Sequence, residues 1–226
     1  MFTPTDLFDL SQTEHAALFE GCAQAWEALS KLAAYLETHL QPKLLNQCDG
    51  VAWIGERVFI GEGTVVEDGA MIKGPAIIGR NCQIRHNAYI REQVIVGDDC
   101  VVGNSCELKN ALLFNHCQVP HFNYVGDSIL GYKAHLGAGA ILSNVKLAGG
   151  NVVVRAGDRT WDTGLRKFGA LLGDQAEVGC NAVLNPGSII GRSGIVYPLT
   201  NWRGVLPARH LAKTHSAVEV VARREP

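Results

Sequence analysis

Residues 54–109 run IGERVFIGEGTVVEDGAMIKGPAIIGRNCQIRHNAYIREQVIVGDDCVVGNSCELK, and every sixth position is aliphatic: Ile54, Ile60, Val66, Ile72, Ile78, Ile84, Ile90, Val96, Val102 and Leu108. The beat then slips by one residue through Leu113, Val119 and Val125, and slips again to Leu130, Leu136 and Leu142. After a break it resumes at Leu172, Val178, Leu184, Ile190 and Val196. A helical period of 3.6 does not generate this register. Glycine often follows the aliphatic residue, as at 55, 61, 79, 97, 103 and 137, which suits a tight corner. A slim residue stands two positions before it, as at Thr64, Cys82, Cys100 and Ala134. Three steps of six close a triangular coil of 18 residues, with the aliphatic and slim residues inside. The prediction is an all-β fold: a left-handed parallel β-helix of about seven coils over residues 51–202, stacked at the ~4.8 Å spacing of paired strands.

The same ruler sorts the cysteines. Cys82, Cys100 and Cys117 fall one coil apart and form an interior ladder, where free thiols act as small buried hydrophobes. Seven cysteines without a paired CxxC motif or a signal peptide read as reduced thiols in a cytoplasmic protein. A net charge of -2 argues against general nucleic-acid or membrane-surface binding, and no apolar run is long enough to span a bilayer.

Outside the repeat, residues 1–50 read as a helical N-terminal cap. Ser11 to Glu14 form a plausible capping box, and Leu18, Cys22, Trp26, Leu29, Leu36 and Leu40 keep helical spacing. A cap is expected over the bare end of a solenoid. Residues 147–168 are an inserted loop, long enough to suggest a functional role. Residues 203–226 read as a C-terminal extension with a short helix and a polar tail.

Positions 18 apart are stacked neighbours, so Lys73, Arg91 and Lys109 form one column of corner cations. Two readings stay open: a solvated basic edge, or a strip that binds a phosphate. Further along stands His121, turned outward at a corner, with Tyr124 and His135 near it. A histidine beside a tyrosine and a Gly137-Ala138-Gly139 stretch suits a general base next to exposed N–H donors.

The stretch His121-Phe-Asn-Tyr-Val-Gly-Asp-Ser, with Gly137-Ala-Gly-Ala and Asn144, resembles the acetyltransferase half of the bifunctional enzyme that makes UDP-N-acetylglucosamine. It is more similar still to archaeal sugar-1-phosphate nucleotidylyltransferases with a β-helical tail, which carry a run like Thr163 to Asp174. The resemblance covers about residues 50–200. It implies a catalytic base at His121, phosphate binding by Arg91 and Lys109 with Lys73 outlying, and substrate contacts from Tyr124 and Asn144. It also implies acetyl-CoA as co-substrate, held near Ala138, His135 and Cys180. The chain departs from the family at two of these, where Asn and Ser are usual, and has Val145 in place of a Tyr. The implied activity is N-acetyl transfer to a hexosamine-1-phosphate by a homotrimer, with no metal. The fifty residues before the repeat are too few for a nucleotidyltransferase domain, so nucleotidyl transfer is not expected of this chain; a separate nucleotidyltransferase is an expected partner, docked on the helical segment.

Three rival readings accompany this one. The first is a non-catalytic sugar-phosphate-binding or assembly module. The second is acetylation of another amine, such as a nucleotide-linked amino sugar. The third is a zinc hydratase-type site using His116 and His121, for which the third ligand position holds Arg85 and His86 is out of register.

Overall fold

The computed structural model describes residues 2–214 together with 221 and 222. Short parallel strands stack as a left-handed β-helix of about nine turns. Its three faces are easiest to follow by register. Face one carries Val58–Ile60, Ala76–Ile78, Val94–Val96, then the ends of Glu107–Leu113 and Tyr124–Leu130, then Ala170–Leu172 and Ser188–Ile190. Face two runs from Gln47–Asp49 through Gln83–Ile84, Val101–Asn104, Gln118–His121 and His135–Leu136 to Leu211–Ala212. Face three stacks Trp53–Ile54, Met71–Ile72, Tyr89–Ile90, the starts of the two long strands, Ile141–Leu142, Val183–Leu184 and Asn201–Trp202.

The six-residue beat is the interior. Ile54, Ile72, Ile90, Leu108, Val125, Leu142, Leu184 and Trp202 pair in sequence as one column. Each one-residue slip is a coil of 17, as in Val96 over Leu113 over Leu130. The cysteine ladder is interior too. The thiols of Cys82, Cys100, Cys106 and Cys117 are buried and donate to the carbonyls of Gly97, Phe114, Val119 and Gly131 at 3.0–3.2 Å.

Three expectations change. The stack has about nine turns where seven were expected, because it begins at Lys43–Leu44 and Gln47–Asp49 and continues through Val205–Leu206 and Leu211–Ala212. Those terminal rungs continue the interior columns through Cys48, Trp202 and Ala212, residues outside the aliphatic beat; Ala212 is buried, Trp202 half-buried and Cys48 exposed on the first rung. Strand therefore replaces the expected helical cap over 43–49 and the expected extension over 203–212; the short helix and tail expected beyond them fall largely on 215–220 and 223–226, outside the described residues.

The second change is where the helical segment sits. The helix Ala28–His39 and the short turns before it lie along face one and do not close the end of the stack. Face one presents an outward apolar column, Phe59, Ile77, Ile95, Leu112, Ile129, Leu171, Ile189 and Val205, against which Phe8, Leu18, Trp26, Leu29, Leu32 and Leu36 are buried. Burying each such aliphatic side chain stabilises by about 1.5–3 kcal/mol, so the column draws the helix to the side of the prism. Asp174 fastens the two parts: its carboxylate accepts from the backbone N–H of Asp9 at 2.7 Å and of Tyr132 at 2.9 Å.

The third concerns the corners. The left-handed residues recur at Asn81, Asn87, Gln93, Asp99, Ser105, His116 and Phe122, two positions beyond the glycine column, and at Asn110 and Asp127, one position beyond it where the coil is a residue shorter. Glycine holds its own place because of close approach: a Cβ on Gly61 would stand 2.7 Å from the Gly79 carbonyl carbon in the next coil. Within 147–168, Val153–Ala156 and Arg159–Asp162 form an antiparallel hairpin. It folds back on the helical segment, with Trp161 edge-on to Phe2 and Phe168 against Trp26.

Candidate functional site

The cations fall into register as the spacing requires. Lys73 and Arg91 follow the paired residues Ile72 and Ile90, Arg91 and Lys109 follow Ile90 and Leu108, and Lys109 pairs with Gly126. The column lies on the corner between faces three and one. Each cation has a carboxylate partner. Lys73 reaches Glu92 at 3.4 Å, Arg91 reaches Glu107 at 2.9 Å, and Lys109 reaches Asp127 at 3.4 Å. The first two pairs are half-exposed, the range in which ion pairs contribute at most about 1 kcal/mol. The Glu107 carboxylate beside Arg91 and the Tyr89 hydroxyl beside Lys73 hold both cations firmly in their charged forms. The Nε of Arg91 is buried, 3.6 Å from a Glu92 oxygen, with no hydrogen-bond partner among the described residues.

Asp127 is the residue that sequence reading missed. Only 4% exposed, it gathers groups from the coils on either side of its own: Lys109 Nζ at 3.4 Å and Asn110 Nδ2 at 2.9 Å from the coil before, and Asn144 Nδ2 at 2.5 Å from the coil after. Asn144 also donates to the Tyr124 hydroxyl at 3.2 Å. Burial, with Glu107 nearby, raises the Tyr124 pKa and keeps its hydroxyl protonated. Gly126 leaves room for this meeting, since a Cβ there would stand 2.5 Å from the Tyr124 hydroxyl and 2.7 Å from Asn144 Nδ2. Lys109, Tyr124 and Asn144 are thus one hydrogen-bonded unit. The signal available in the sequence was Asp127 itself, one residue past Gly126 in the motif already singled out.

His121 stands on the next corner, between faces two and three. It pairs with Asn104 in the coil before, and the register carries the column on through Ala138 to Cys180. The three residues assigned to base, acetyl contact and cofactor therefore share one edge. His121 and Cys180 are exposed and Ala138 is half-buried, with no acceptor for the Ala138 N–H among the described residues. The His121 N–H donates to Asn123 Oδ1 at 3.1 Å and its carbonyl accepts from Gly139 at 2.9 Å, which fixes the backbone beneath the imidazole. Phe122 follows at φ 53 and 60% exposed, an apolar flank in a conformation unfavourable for an aromatic residue. His135 faces outward from the middle of face two and bonds Glu177 through Nδ1 at 2.7 Å. It is off the His121 edge.

His116 and His121 bracket the strand Gln118–His121 and occupy different corners, His116 meeting Asp99 and Tyr132 instead. Among the described residues no three His, Cys, Asp or Glu side chains cluster as metal ligands, and no helix is long and apolar enough to cross a membrane. A cavity of about 460 Å³ lies elsewhere, between the helical segment and the corner of faces one and two, lined by His15, His39, Phe59 and Arg80.

Residues 72–158 match a family model described as the GMPPB C-terminal domain. The chain is 32% identical over 92 residues to the bifunctional sugar-1-phosphate nucleotidylyltransferase/acetyltransferase of Sulfurisphaera tokodaii, covering 41% of this chain and 23% of that protein. It is 33% identical over 90 residues to the bifunctional protein GlmU of Methanococcus vannielii, covering 40% and 22%. The chain thus matches less than a quarter of the length of these relatives. Among solved structures, the UDP-N-acetylglucosamine acyltransferase of Francisella novicida aligns with 74% of this chain and 64% of its own, at 14% identity and a TM-score of 0.42.

Proposed function

We propose, from the premise that the coils form a hexapeptide-repeat domain of the acetyltransferase type, that this chain transfers an acetyl group from acetyl-CoA to the amine of a hexosamine-1-phosphate. The observation that carries the reading is the pair of adjoining corners. One presents an exposed imidazole with Ala138 and Cys180 on its edge; the other presents Lys109, Tyr124 and Asn144 locked together by Asp127.

In this reading Arg91 and Lys109 hold the sugar phosphate, with Lys73 at its margin. The phosphate competes with Glu92 and Glu107 for cations whose present pairs are weak and half-exposed. Tyr124 and Asn144 orient the sugar. His121 takes a proton from the amine as nitrogen attacks the thioester carbonyl, because only the unprotonated amine is nucleophilic. The N–C bond forms, the C–S bond breaks, and the thiolate leaves and is protonated. The free Ala138 N–H suits the developing oxyanion, an interaction worth about 3–4 kcal/mol in acyl transfer. Acetyl-CoA lies along the Ala138 and Cys180 edge, with His135 further out.

The assembly that fits is a homotrimer. Face one is covered by the helical segment, whereas face three exposes Trp53 (54%) and Met71 (37%) and face two exposes Ile195 and Leu211. A second copy on these faces buries that surface and closes the cleft over His121. The helical segment's outer side is left for a separate nucleotidyltransferase.

Purified protein, acetyl-CoA and glucosamine-1-phosphate, followed by release of free thiol, provide the test. Turnover in wild type with a loss of at least a hundredfold in His121→Ala supports the reading. Wild-type turnover in that variant removes His121 as base. No thiol release with any hexosamine phosphate, but calorimetric binding of the sugar phosphate, favours the non-catalytic module.

A further inference from the structure

We propose that Lys146, Arg155 and Arg203 form a binding site for a diphosphate group, at the corner where the inserted hairpin crosses the later coils. The three cations line one small pocket of about 70 Å³ together with Gly187 and Gly204. They come from three separate segments: the loop leaving Asn144, the hairpin strand Val153–Ala156, and the corner after Asn201–Trp202. The pocket is too small for a whole nucleotide, since ligand clefts run to about 300–1,000 Å³. It admits a compact headgroup and leaves the rest of the ligand on the surface.

Charge marks this pocket out. Every cation of the Lys73, Arg91 and Lys109 column has a carboxylate within 3.4 Å. Arg155 and Arg203 have neither an ion pair nor a side-chain hydrogen bond among the described residues, and Lys146 donates only to the carbonyl of Asn151, at 2.8 Å. Three like charges around one pocket raise one another's energy and favour an anion among them. A diphosphate matches the excess charge better than a single phosphate, and guanidinium forks suit its oxygens.

The backbone builds the pocket in advance. A Cβ on Gly187 would stand 2.7 Å from the Val153 carbonyl oxygen, and one on Gly204 would stand 3.3 Å from that of Arg155. Both glycines adopt positive φ, at 83 and 97 degrees. The hairpin therefore lies directly on the corner, and Arg155 is held beside Arg203 by main-chain contact. Arg203 also continues the column of Lys109. The register runs from Lys109 through Gly126, Ser143 and Asn185 to Arg203, four rungs or about 19 Å at ~4.8 Å each. An elongated ligand laid along this corner reaches from the hairpin toward Asn144.

This site does not depend on acetyl transfer. Its test is calorimetry of the full chain with inorganic pyrophosphate, and separately with coenzyme A and with UDP-glucose, the two sources of a diphosphate group. Wild type is expected to bind pyrophosphate, more weakly as salt rises from 50 to 300 mM. Arg155→Gln/Arg203→Gln is expected to lose at least tenfold, and Arg155→Lys/Arg203→Lys to retain most of the affinity. An unchanged melting curve certifies that the variants fold. Whichever nucleotide loses affinity in the Gln variant is the source. The proposal is overturned if wild type does not bind pyrophosphate, if the Gln variant binds it equally well, or if neither nucleotide is affected.

Discussion

The Asn144 amide donates to the Asp127 carboxylate at 2.5 Å, joining residues 17 apart in sequence across one turn of the solenoid. Through that carboxylate Lys109, Asn110 and Asn144 are tied into one unit, and through Asn144 the unit includes Tyr124. A buried acceptor for three donors is expensive to remove, because each hydrogen bond to a charged group contributes about 1.5–3 kcal/mol and the donors are left unpaired. Asp127→Ala is therefore expected to lower stability by about 2–4 kcal/mol, read as a fall in the urea midpoint. An unchanged midpoint means that the cluster does not hold the corner. If the sugar-phosphate reading is right, the same variant raises KM by a larger factor than it lowers kcat.

Gly126→Ala separates the site from the fold. Its Cβ would press on the Tyr124 hydroxyl and on Asn144 Nδ2, both movable side-chain ends, and the backbone there does not require positive φ. Stability is expected to fall by no more than about 1.5–3 kcal/mol, the contribution of the displaced Asn144 bond to Asp127, whereas affinity for a hexosamine phosphate falls at least tenfold. Unchanged substrate affinity with an unchanged melting temperature removes Tyr124 and Asn144 from the binding site.

The coils and their register were legible because interior positions of a solenoid tolerate little besides aliphatic and slim residues, so the beat survives in the sequence. Lys73, Arg91 and Lys109 could be stacked on paper for the same reason. The lateral seat of the helix was also written there, as the doublets Ile77-Ile78, Ile95-Val96, Leu112-Leu113, Ile129-Leu130, Leu171-Leu172 and Ile189-Ile190. A strand apolar at consecutive positions is buried on both sides, and these doublets recur at every third step, which singles out one face. The partners of the cations were not legible, because each lies in the following coil but off the cation column: Glu92 one residue past Arg91, Glu107 two before Lys109, and Asp127 one past Gly126. The pocket of Lys146, Arg155 and Arg203 depends on how an irregular insertion folds back, which no periodicity encodes.

The seven cysteines divide by position, and a thiol reagent reads the division. Cys48 and Cys180 are exposed, Cys22 is half-buried, and Cys82, Cys100, Cys106 and Cys117 lie in the core. Interaction with Cys100 and burial push the Cys82 thiol up, and burial does the same for Cys100 and Cys106, which suppresses the reactive thiolate. Two thiols are expected to react at once at pH 8, a third slowly, and the last four only in denaturant. Early reaction of more than three contradicts an interior ladder.

His15 gives the chain a calculable response to acid. Burial under the helical segment, reinforced by nearby His39 and opposed by Asp98, pushes its pKa down to about 4 from 6.5, and Nδ1 meets the Tyr35 hydroxyl at 3.1 Å. The folded pKa lies below the unfolded one, so between pH 4 and 6.5 the unfolded chain binds the extra proton. Stability due to this group is complete above pH 6.5 and drains away as pH falls toward 4. The full span is about 3 kcal/mol, from 1.36 kcal/mol per pH unit. His15→Gln keeps a polar partner for Tyr35 and removes the titration. Wild type is expected to lose about 2–3 kcal/mol more than the variant between pH 7 and pH 4, measured by urea unfolding at each pH. Subtracting the variant cancels the contributions of the other ionisable groups, which the two proteins share. Parallel losses in the two proteins show that His15 is charged in the folded state and that the cavity beneath the helix is open to water.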